Sequence, residues 1–289
     1  MTDFSYHRPT SLADAFELAK EHGTDAAFLA GGTELVPDYR RGREEAGHLI
    51  SLRDVPGLAD IRDEGGAVHI GAMARLQDVA DSDLLRDAFP ALAEAAATIG
   101  GSQVRHQGTI GGNFCRAVPC ADTPPSCIAG GATLEIVSTD GKRSLPAESF
   151  FLGPRATVLD TGEVLSEIVV PAQPENSGTS YQRFTLRKGQ ALAVAAVAAR
   201  VVLNGDSISS ARIVLSAVAP VPYYAVTSSS FLAGKPATAE VFTEAAGLAA
   251  EEARPIDDIR GTAEFRTHLT KVLTERALVE ATRRAGGAA

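Results

Sequence analysis

Two glycine-rich segments contain the residue types best suited to binding an anionic ligand. The first is Leu29-Ala30-Gly31-Gly32-Thr33-Glu34-Leu35-Val36, and the second is Gly108-Thr109-Ile110-Gly111-Gly112-Asn113. Residues without a Cβ adopt positive φ readily and let a ligand approach the main chain. Their successive N–H groups can converge on one point as an anion nest, with the neighbouring threonine hydroxyl as a further donor. A pyrophosphate suits that arrangement because it offers several acceptor oxygens and needs no formal cation.

Each glycine segment is a weak signal when taken alone. A Gly-Gly pair after a strand is a plain turn in roughly two cases of three. Neither segment has the G-x-G-x-x-G spacing of a dinucleotide fold or the lysine of a Walker A loop. The residues alone therefore leave a turn and a phosphate site as alternatives.

The other potentially reactive side chains give weaker evidence for a functional site. Cys115, Cys120 and Cys127 follow a C-x4-C-x6-C spacing, one thiolate short of the usual four cluster ligands, so we interpret them as small buried apolar residues. His106 lies beside the second glycine segment and is interpreted as structural. No serine or cysteine has a recognisable nucleophile setting, so the sequence predicts no catalytic side chain and no metal ligand.

Composition narrows the function classes. The chain has 289 residues, 45% of them hydrophobic, which is enough for two or three subdomains. A net charge of −9 argues against a nucleic-acid partner. The longest apolar stretch, residues 191–203, is broken by Arg200 and is too short to span a membrane. The polar N-terminus and three unpaired cysteines lead us to expect a cytoplasmic protein.

The elements that must position the two segments can be read from the hydrophobic pattern. Ser11 is a good N-cap for a helix that ends at Gly23, and a strand over residues 26–30 leads into the first segment, which gives a βαβ-like unit. A second strand covers residues 66–71. Residues 84–99 are predicted to form one helix with Pro90 in its first turn. Residues 100–131 show little periodicity and are predicted to form a long functional loop.

A different pattern follows a predicted linker at residues 174–178. Three β-rich segments cover residues 181–187, 193–203 and 207–218, and Asn204-Gly205 predicts a tight hairpin between the last two. Residues 237–254 and 262–284 are predicted to be helical. We place a domain boundary near residue 173.

Taken together, these segments carry a family resemblance. Residues 29–36, the strand end Ile70-Gly71-Ala72 and residues 103–113 resemble the medium, FAD-binding subunit of the xanthine dehydrogenase and carbon monoxide dehydrogenase (molybdenum hydroxylase) family. Arg187-Lys188, residues 193–202 and residues 211–220 resemble its C-terminal domain. The similarity runs from about Phe4 to Arg284.

The resemblance implies an α+β fold. A two-piece FAD-binding domain of the vanillyl-alcohol-oxidase (PCMH) type would cover residues 1–173, with subdomains of about 1–57 and 58–173. A C-terminal antiparallel sheet-plus-helices domain of the carbon monoxide dehydrogenase flavoprotein type would cover residues 174–289. The two glycine segments would hold the FAD pyrophosphate. The other implied FAD contacts are Ile70, Gly71, Ala72, Arg116, Asp122 with a cofactor hydroxyl, Leu165 with the ring system, and Lys188.

The implied function is electron transfer by non-covalent FAD. Partners would be a large subunit with a molybdenum cofactor and a small subunit with two [2Fe–2S] clusters, assembled as a dimer of heterotrimers. The acceptor stays open among NAD⁺, a quinone, oxygen and a carrier protein, and the hydroxylated substrate is set by another chain. Two alternatives stay open: a stand-alone FAD-dependent oxidoreductase and a flavin-free scaffold subunit.

Overall fold

The computed structural model describes residues 4–287 and contains three principal sheets. In chain order the strands are β1 Ser5–His7, β2 Ala26–Leu29, β3 His48–Ser51, β4 Ile61–Glu64, β5 Ala67–Gly71, β6 Thr133–Ser138, β7 Gly141–Pro146, β8 Phe151–Gly153, β9 Ala156–Thr157, β10 Val164–Val170, β11 Ser177–Phe184, β12 Ala195–Asn204, β13 Ser207–Ser216 and β14 Tyr223–Tyr224. The α-helices are α1 Leu12–His22, α2 Leu35–Arg40, α3 Leu76–Asp81, α4 Asp83–Ala88, α5 Pro90–Thr98, α6 Ser102–Arg105, α7 Ile110–Cys115, α8 Thr123–Gly130, α9 Val226–Phe231, α10 Ala239–Glu252 and α11 Ala263–Arg284.

The first sheet is parallel, with strand order β1-β3-β2. Ser11 starts α1 as predicted, because its hydroxyl accepts a hydrogen bond from the Asp14 amide at 3.0 Å. Ala15, Phe16 and Ala19 form the buried face of α1 and pack in a core shared with β3. This β-α-β arrangement leaves the first glycine segment directly after the carboxyl end of β2.

The second sheet is antiparallel, with strand order β4-β5-β10-β6-β7. Helices α3, α5 and α8 contribute to the core that it shares. Ala72, just after β5, donates its amide to Ser166 O (2.9 Å) and accepts the Gly111 amide (2.8 Å). The middle of this sheet therefore holds the second glycine segment in place.

The third sheet is antiparallel, with order β11-β12-β13-β14, and is buried on both faces. Ala196 and Ala198 on β12 join the core of the second sheet, whereas Val197 and Ala199 pack with α10 and α11. Side chains alternate between faces along a strand, so double burial explains why β12 is apolar almost throughout. The hairpin predicted at Asn204 is present, and its Gly205 has a φ of 61°.

A buried arginine joins the last helix to this sheet. Arg266 on α11 is 1% exposed and donates to Val194 O at 2.7 Å and Ala217 O at 3.2 Å. It also pairs with Asp258 at 2.6 Å. Burial opposes ionisation of Asp258, but hydrogen bonds from Arg260 and Arg266 outweigh it and lower its pKa to about 2.

Two expectations about the elements were wrong. The helix expected over residues 84–99 is split into α4 and α5 at Phe89, whose φ of −152° is not helical, because the residue before a proline avoids the helical region. Residues 100–131 contain three short helices, α6, α7 and α8, instead of a continuous loop. Over the described residues, no helix is long and apolar enough to cross a membrane.

Candidate functional site

A cavity of about 640 Å³ opens where the three sheets meet. Its walls come from both glycine segments, from the start of β10 and from residues 190–192 before β12. The predicted site residues that line it are Leu29, Ala30, Gly31, Gly32, Thr33, Glu34, Leu35, Ala72, Gly108, Thr109, Gly111, Gly112, Asn113, Arg116, Asp122 and Leu165. A volume of this size with a mostly apolar lining is typical of a cofactor site.

The two glycine segments are in direct contact, although 71 residues (37–107) lie between them in the chain. A Cβ built on Gly31 would lie 2.0 Å from Gln107 O and 2.8 Å from Gly108 Cα. A Cβ on Gly108 would lie 3.4 Å from Thr33 Oγ1. Glycine is therefore required at Gly31 so that the two main chains can approach each other.

The first glycine segment supplies free main-chain donors. Among residues 4–287, the amides of Gly31, Gly32, Thr33 and Glu34 have no intramolecular acceptor. Gly32 has a φ of 72°, which turns the chain between the end of β2 and the start of α2. Four successive free N–H groups beside a cavity are the donors that an anion nest requires.

The second glycine segment works differently from the expectation. The Ile110 amide donates to Ala74 O at 3.0 Å, and the Gly111 amide donates to Ala72 O at 2.8 Å. The Gly112 amide donates to Thr109 Oγ1 at 3.1 Å, which caps α7. These three amides already have acceptors within the chain, so they are not the free N–H donors that the sequence analysis expected at this segment. The segment instead provides a close-packed wall opposite the nest.

Asp122 links this wall to the C-terminal sheet. Its Oδ1 accepts hydrogen bonds from Tyr181 Oη at 2.6 Å and from Arg183 Nη1 at 2.9 Å. Burial raises the pKa of the Asp122 carboxyl, although both partners act to lower it. Within the described part of the chain Oδ2 accepts no hydrogen bond, and Asp122 lines the cavity. One carboxylate oxygen therefore remains for a ligand hydroxyl.

Arg116 places a positive charge at the cavity wall. Its guanidinium pairs with the buried Asp38 and lies 3.4 Å from Glu44 Oε1 and 3.8 Å from Glu34 Oε2. Burial and the nearby Arg155 lower its pKa, whereas Glu34 raises it. The carboxylates fix the orientation of the guanidinium, which is 16% exposed.

Five predicted residues do not line this cavity. Ile70 and Ile110 are fully buried in the core, and Gly71 packs against the main chain of residue 58. Val36 faces a second cavity of about 320 Å³ on the other side of the first segment. Lys188 is exposed and lies outside both cavities.

The loop beside Lys188 contains residues that the sequence analysis missed. Gln190, Ala191 and Leu192 line the cavity, and the Gln190 amide donates to Gly100 O at 3.3 Å. Leu192 is 59% exposed, which is unusual for a leucine directly before a buried strand. The sequence offered one signal for this wall, because the apolar run of β12 continues before the strand to include Leu192.

The remaining candidates occupy different environments. Cys115 lies in the cavity wall and is exposed, so the expectation that it is buried was wrong, although the surrounding protein raises the pKa of its thiol to about 12. Cys120 also lines the cavity, and Cys127 is fully buried, so both thiol pKa values are raised by burial. The exposed His106 pairs its ring with Ser102 O at 2.8 Å, consistent with a structural role. These thiols are protonated at neutral pH and are poor nucleophiles.

Family models match nearly the whole chain. The model described as "FAD binding domain in molybdopterin dehydrogenase" matches residues 2–173. The model described as "CO dehydrogenase flavoprotein C-terminal domain" matches residues 180–281.

Individual relatives cover the same extent. The carbon monoxide dehydrogenase medium chain of Hydrogenophaga pseudoflava is 38% identical over 276 residues, 95% of this chain and 96% of that one. The putative xanthine dehydrogenase FAD-binding subunit of Escherichia coli is 29% identical over 99% of both chains. Among solved structures, carbon monoxide dehydrogenase from H. pseudoflava aligns with a TM-score of 0.94 at 37% identity, covering 98% of both chains. Quinoline 2-oxidoreductase from Pseudomonas putida 86 aligns with a TM-score of 0.92 at 31% identity, covering 98% of both chains.

Proposed function

Because this chain belongs to the family of FAD-binding medium subunits of molybdenum hydroxylases, we propose that it collects electrons from [2Fe–2S] clusters of a small partner subunit. It passes them to an external acceptor. A large partner subunit holds the molybdenum cofactor, and the complex is a dimer of heterotrimers. The chain is an oxidoreductase subunit with an FAD-binding domain, and the electron route is the part proposed.

One observation carries the proposal: four successive free amides, from Gly31 to Glu34, border a largely apolar cavity of about 640 Å³. The nest suits the FAD diphosphate, because several N–H groups can share its oxygens without a lysine. Asp122 Oδ2 suits a ribityl or ribose hydroxyl. Leu165 and Leu192 suit the faces of the ring system and exclude water from it.

Bound FAD supplies the redox chemistry, since it stores two electrons and exchanges them singly or in pairs. The chain binds FAD, orients it and excludes water from its ring system. The three acidic side chains in the cavity each lie beside an arginine: Glu163 pairs with Arg143 at 2.6 Å, which lowers its pKa, Asp122 pairs with Arg183, and Glu34 lies 3.8 Å from Arg116. We therefore assign no side chain as a general acid or base.

The second cavity suits the adenosine end of the cofactor. It shares Leu29 to Thr33 with the first cavity, so a molecule whose diphosphate lies on the nest can extend to both sides of the segment. Tyr6 offers an aromatic face there, and Arg53 donates to Gln107 Oε1 at 3.0 Å across the second cavity's wall.

Anaerobic flavin reduction tests the proposal. The complex is purified from its native host through a tag on this chain, and its visible spectrum is followed on addition of carbon monoxide, xanthine or quinoline, the compounds named for its relatives. We expect yellow protein whose flavin absorbance bleaches with one such compound in the complex, but with none when the chain is alone. Bleaching of the isolated chain would show a stand-alone oxidoreductase. A colourless chain that takes up no added FAD would show a scaffold.

A further inference from the structure

Three of the six histidines meet at one place in the N-terminal subdomain. His7 ends β1, His22 ends α1 and His48 begins β3. One ring nitrogen from each lies within 4.8 Å of the other two, and each residue is partly exposed. None of the three lines either cavity, so the electron-transfer site does not use them.

The rings form a layered cluster. His22 and His48 stack with ring centroids 3.5 Å apart and an interplanar angle of 11°. His7 Nε2 lies 2.9 Å from His48 Nδ1, and the His7 ring is tilted by 32° from that of His22. In a pair of ring nitrogens at 2.9 Å, one nitrogen donates and the other accepts.

We propose that His7, His22 and His48 bind one Zn²⁺ ion through a single ring nitrogen each, with water completing the coordination. In tetrahedral zinc sites the Zn–N distance is about 2.0–2.1 Å, which places ligand nitrogens about 3.3 Å apart. The nitrogens here span from 2.9 Å to at most 4.8 Å. Binding would therefore require the imidazoles to rotate about their side-chain torsions.

The choice of metal follows from the ligands. Three imidazoles suit Zn²⁺ and its neighbours Cu²⁺ and Ni²⁺, whereas Mg²⁺ and Ca²⁺ need oxygen ligands. Asp25 adds negative charge nearby, because its carboxylate accepts the amide of Gly47, the residue before His48, at 2.7 Å. The partial exposure of all three rings gives an ion a route from solvent.

The expected consequence is mechanical. The three ligands come from the neighbouring strands β1 and β3 and from the helix α1, which connects β1 to β2, so one ion would tie α1 to the sheet that carries the first glycine segment. Binding to the folded state alone raises its stability. At a Zn²⁺ concentration a hundredfold above Kd, we expect thermal unfolding to shift upward by about 5 °C or more.

The test uses the full-length chain without a polyhistidine tag. Zinc binding is measured by titration calorimetry, Co²⁺ substitution is followed in the visible spectrum, and unfolding temperature is recorded with and without Zn²⁺. We expect one ion per chain, visible bands typical of tetrahedral Co²⁺, and a zinc-dependent rise in unfolding temperature. Each of His7→Gln, His22→Gln and His48→Gln should weaken zinc binding at least tenfold.

His268→Gln is the matched control, since His268 is an exposed histidine on α11, outside the cluster. Its zinc affinity and stoichiometry should equal those of the unaltered chain. Unchanged zinc binding in any one of the three cluster variants would overturn the proposal, as would the absence of binding in the unaltered chain. FAD content, measured in parallel, should stay the same in all variants, so failure of this site leaves the proposed function untouched.

Discussion

Gly31→Ala should weaken FAD binding by forcing the two glycine segments apart. The added Cβ would lie 2.0 Å from Gln107 O and 2.8 Å from Gly108 Cα, whereas Cβ contacts below 3.0 Å essentially do not occur. The main chains must therefore separate by about 1 Å or more. Overpacking of this kind costs about 1–3 kcal/mol. If FAD lies against both segments, as proposed, a cost of that size falling on the bound state corresponds to a 5- to 150-fold higher Kd, by about 1.4 kcal/mol per tenfold.

The assay is the flavin content of the purified chain, from absorbance near 450 nm, together with Kd from quenching of FAD fluorescence. Gly153→Ala is the control, because nothing lies within 4 Å of its added Cβ and its φ is ordinary. The control should bind FAD as the unaltered chain does. If Gly31→Ala also kept the original Kd, the two segments would not form the cofactor site together, and the argument would be refuted.

Three further perturbations have distinct readouts. Gly111→Ala would place its Cβ 2.6 Å from Ala72 Cβ, so we expect the free energy of unfolding in urea to fall by about 1–3 kcal/mol. Gly111→Asp would meet the same contact and should therefore destabilise the fold as well as weaken FAD binding. Asp122→Asn leaves the buried Arg183 without its anion and should cost about 3–5 kcal/mol in the same assay, whereas a loss below 1 kcal/mol would contradict the buried ion pair. The folded pKa of Asp258 is about 2, below its ordinary value near 4, so its stabilisation is present above about pH 4 and is lost as pH falls towards 2. Asp258→Asn should therefore flatten the dependence of unfolding temperature on pH between 4 and 2, as circular dichroism would show.

The local signals in the sequence were sufficient for much of the fold. Ser11 predicted the start of α1, and Asn204-Gly205 predicted the turn between β12 and β13. The hydrophobic periodicity predicted the last two helices, α10 and α11. These features depend on contacts within a few residues of each other in the chain. Pro90 shows the limit of such local signals. It breaks the chain into two helices at Phe89, where the hydrophobic pattern predicted one continuous helix.

The roles of the glycines could not be separated from the sequence. Both segments contain a Gly-Gly pair beside a threonine, yet in the first segment four successive amides have no acceptor among the described residues, whereas in the second the amides of Ile110, Gly111 and Gly112 all have one. The difference arises because the Gly111 amide meets the carbonyl of Ala72, a contact between β5 and α7 that 39 residues of chain separate. The Gly112 amide is occupied locally by Thr109 Oγ1, but the acceptors of the Ile110 and Gly111 amides come from distant parts of the chain, which the local motif does not show.

The domain boundary that we propose near residue 173 separates two segments of the chain, but these two segments share one hydrophobic core. Ala196 and Ala198 of the C-terminal sheet lie in the core of the second sheet, and Leu192 forms part of the cavity wall. Asp122 closes the same junction from the other side through Arg183. A residue range of 1–173 would therefore lack one wall of the cavity and one face of its core. Both domains therefore build the proposed cofactor site. The apolar strand β12, which follows the boundary, and the buried Asp122, which precedes it, pack at the same junction.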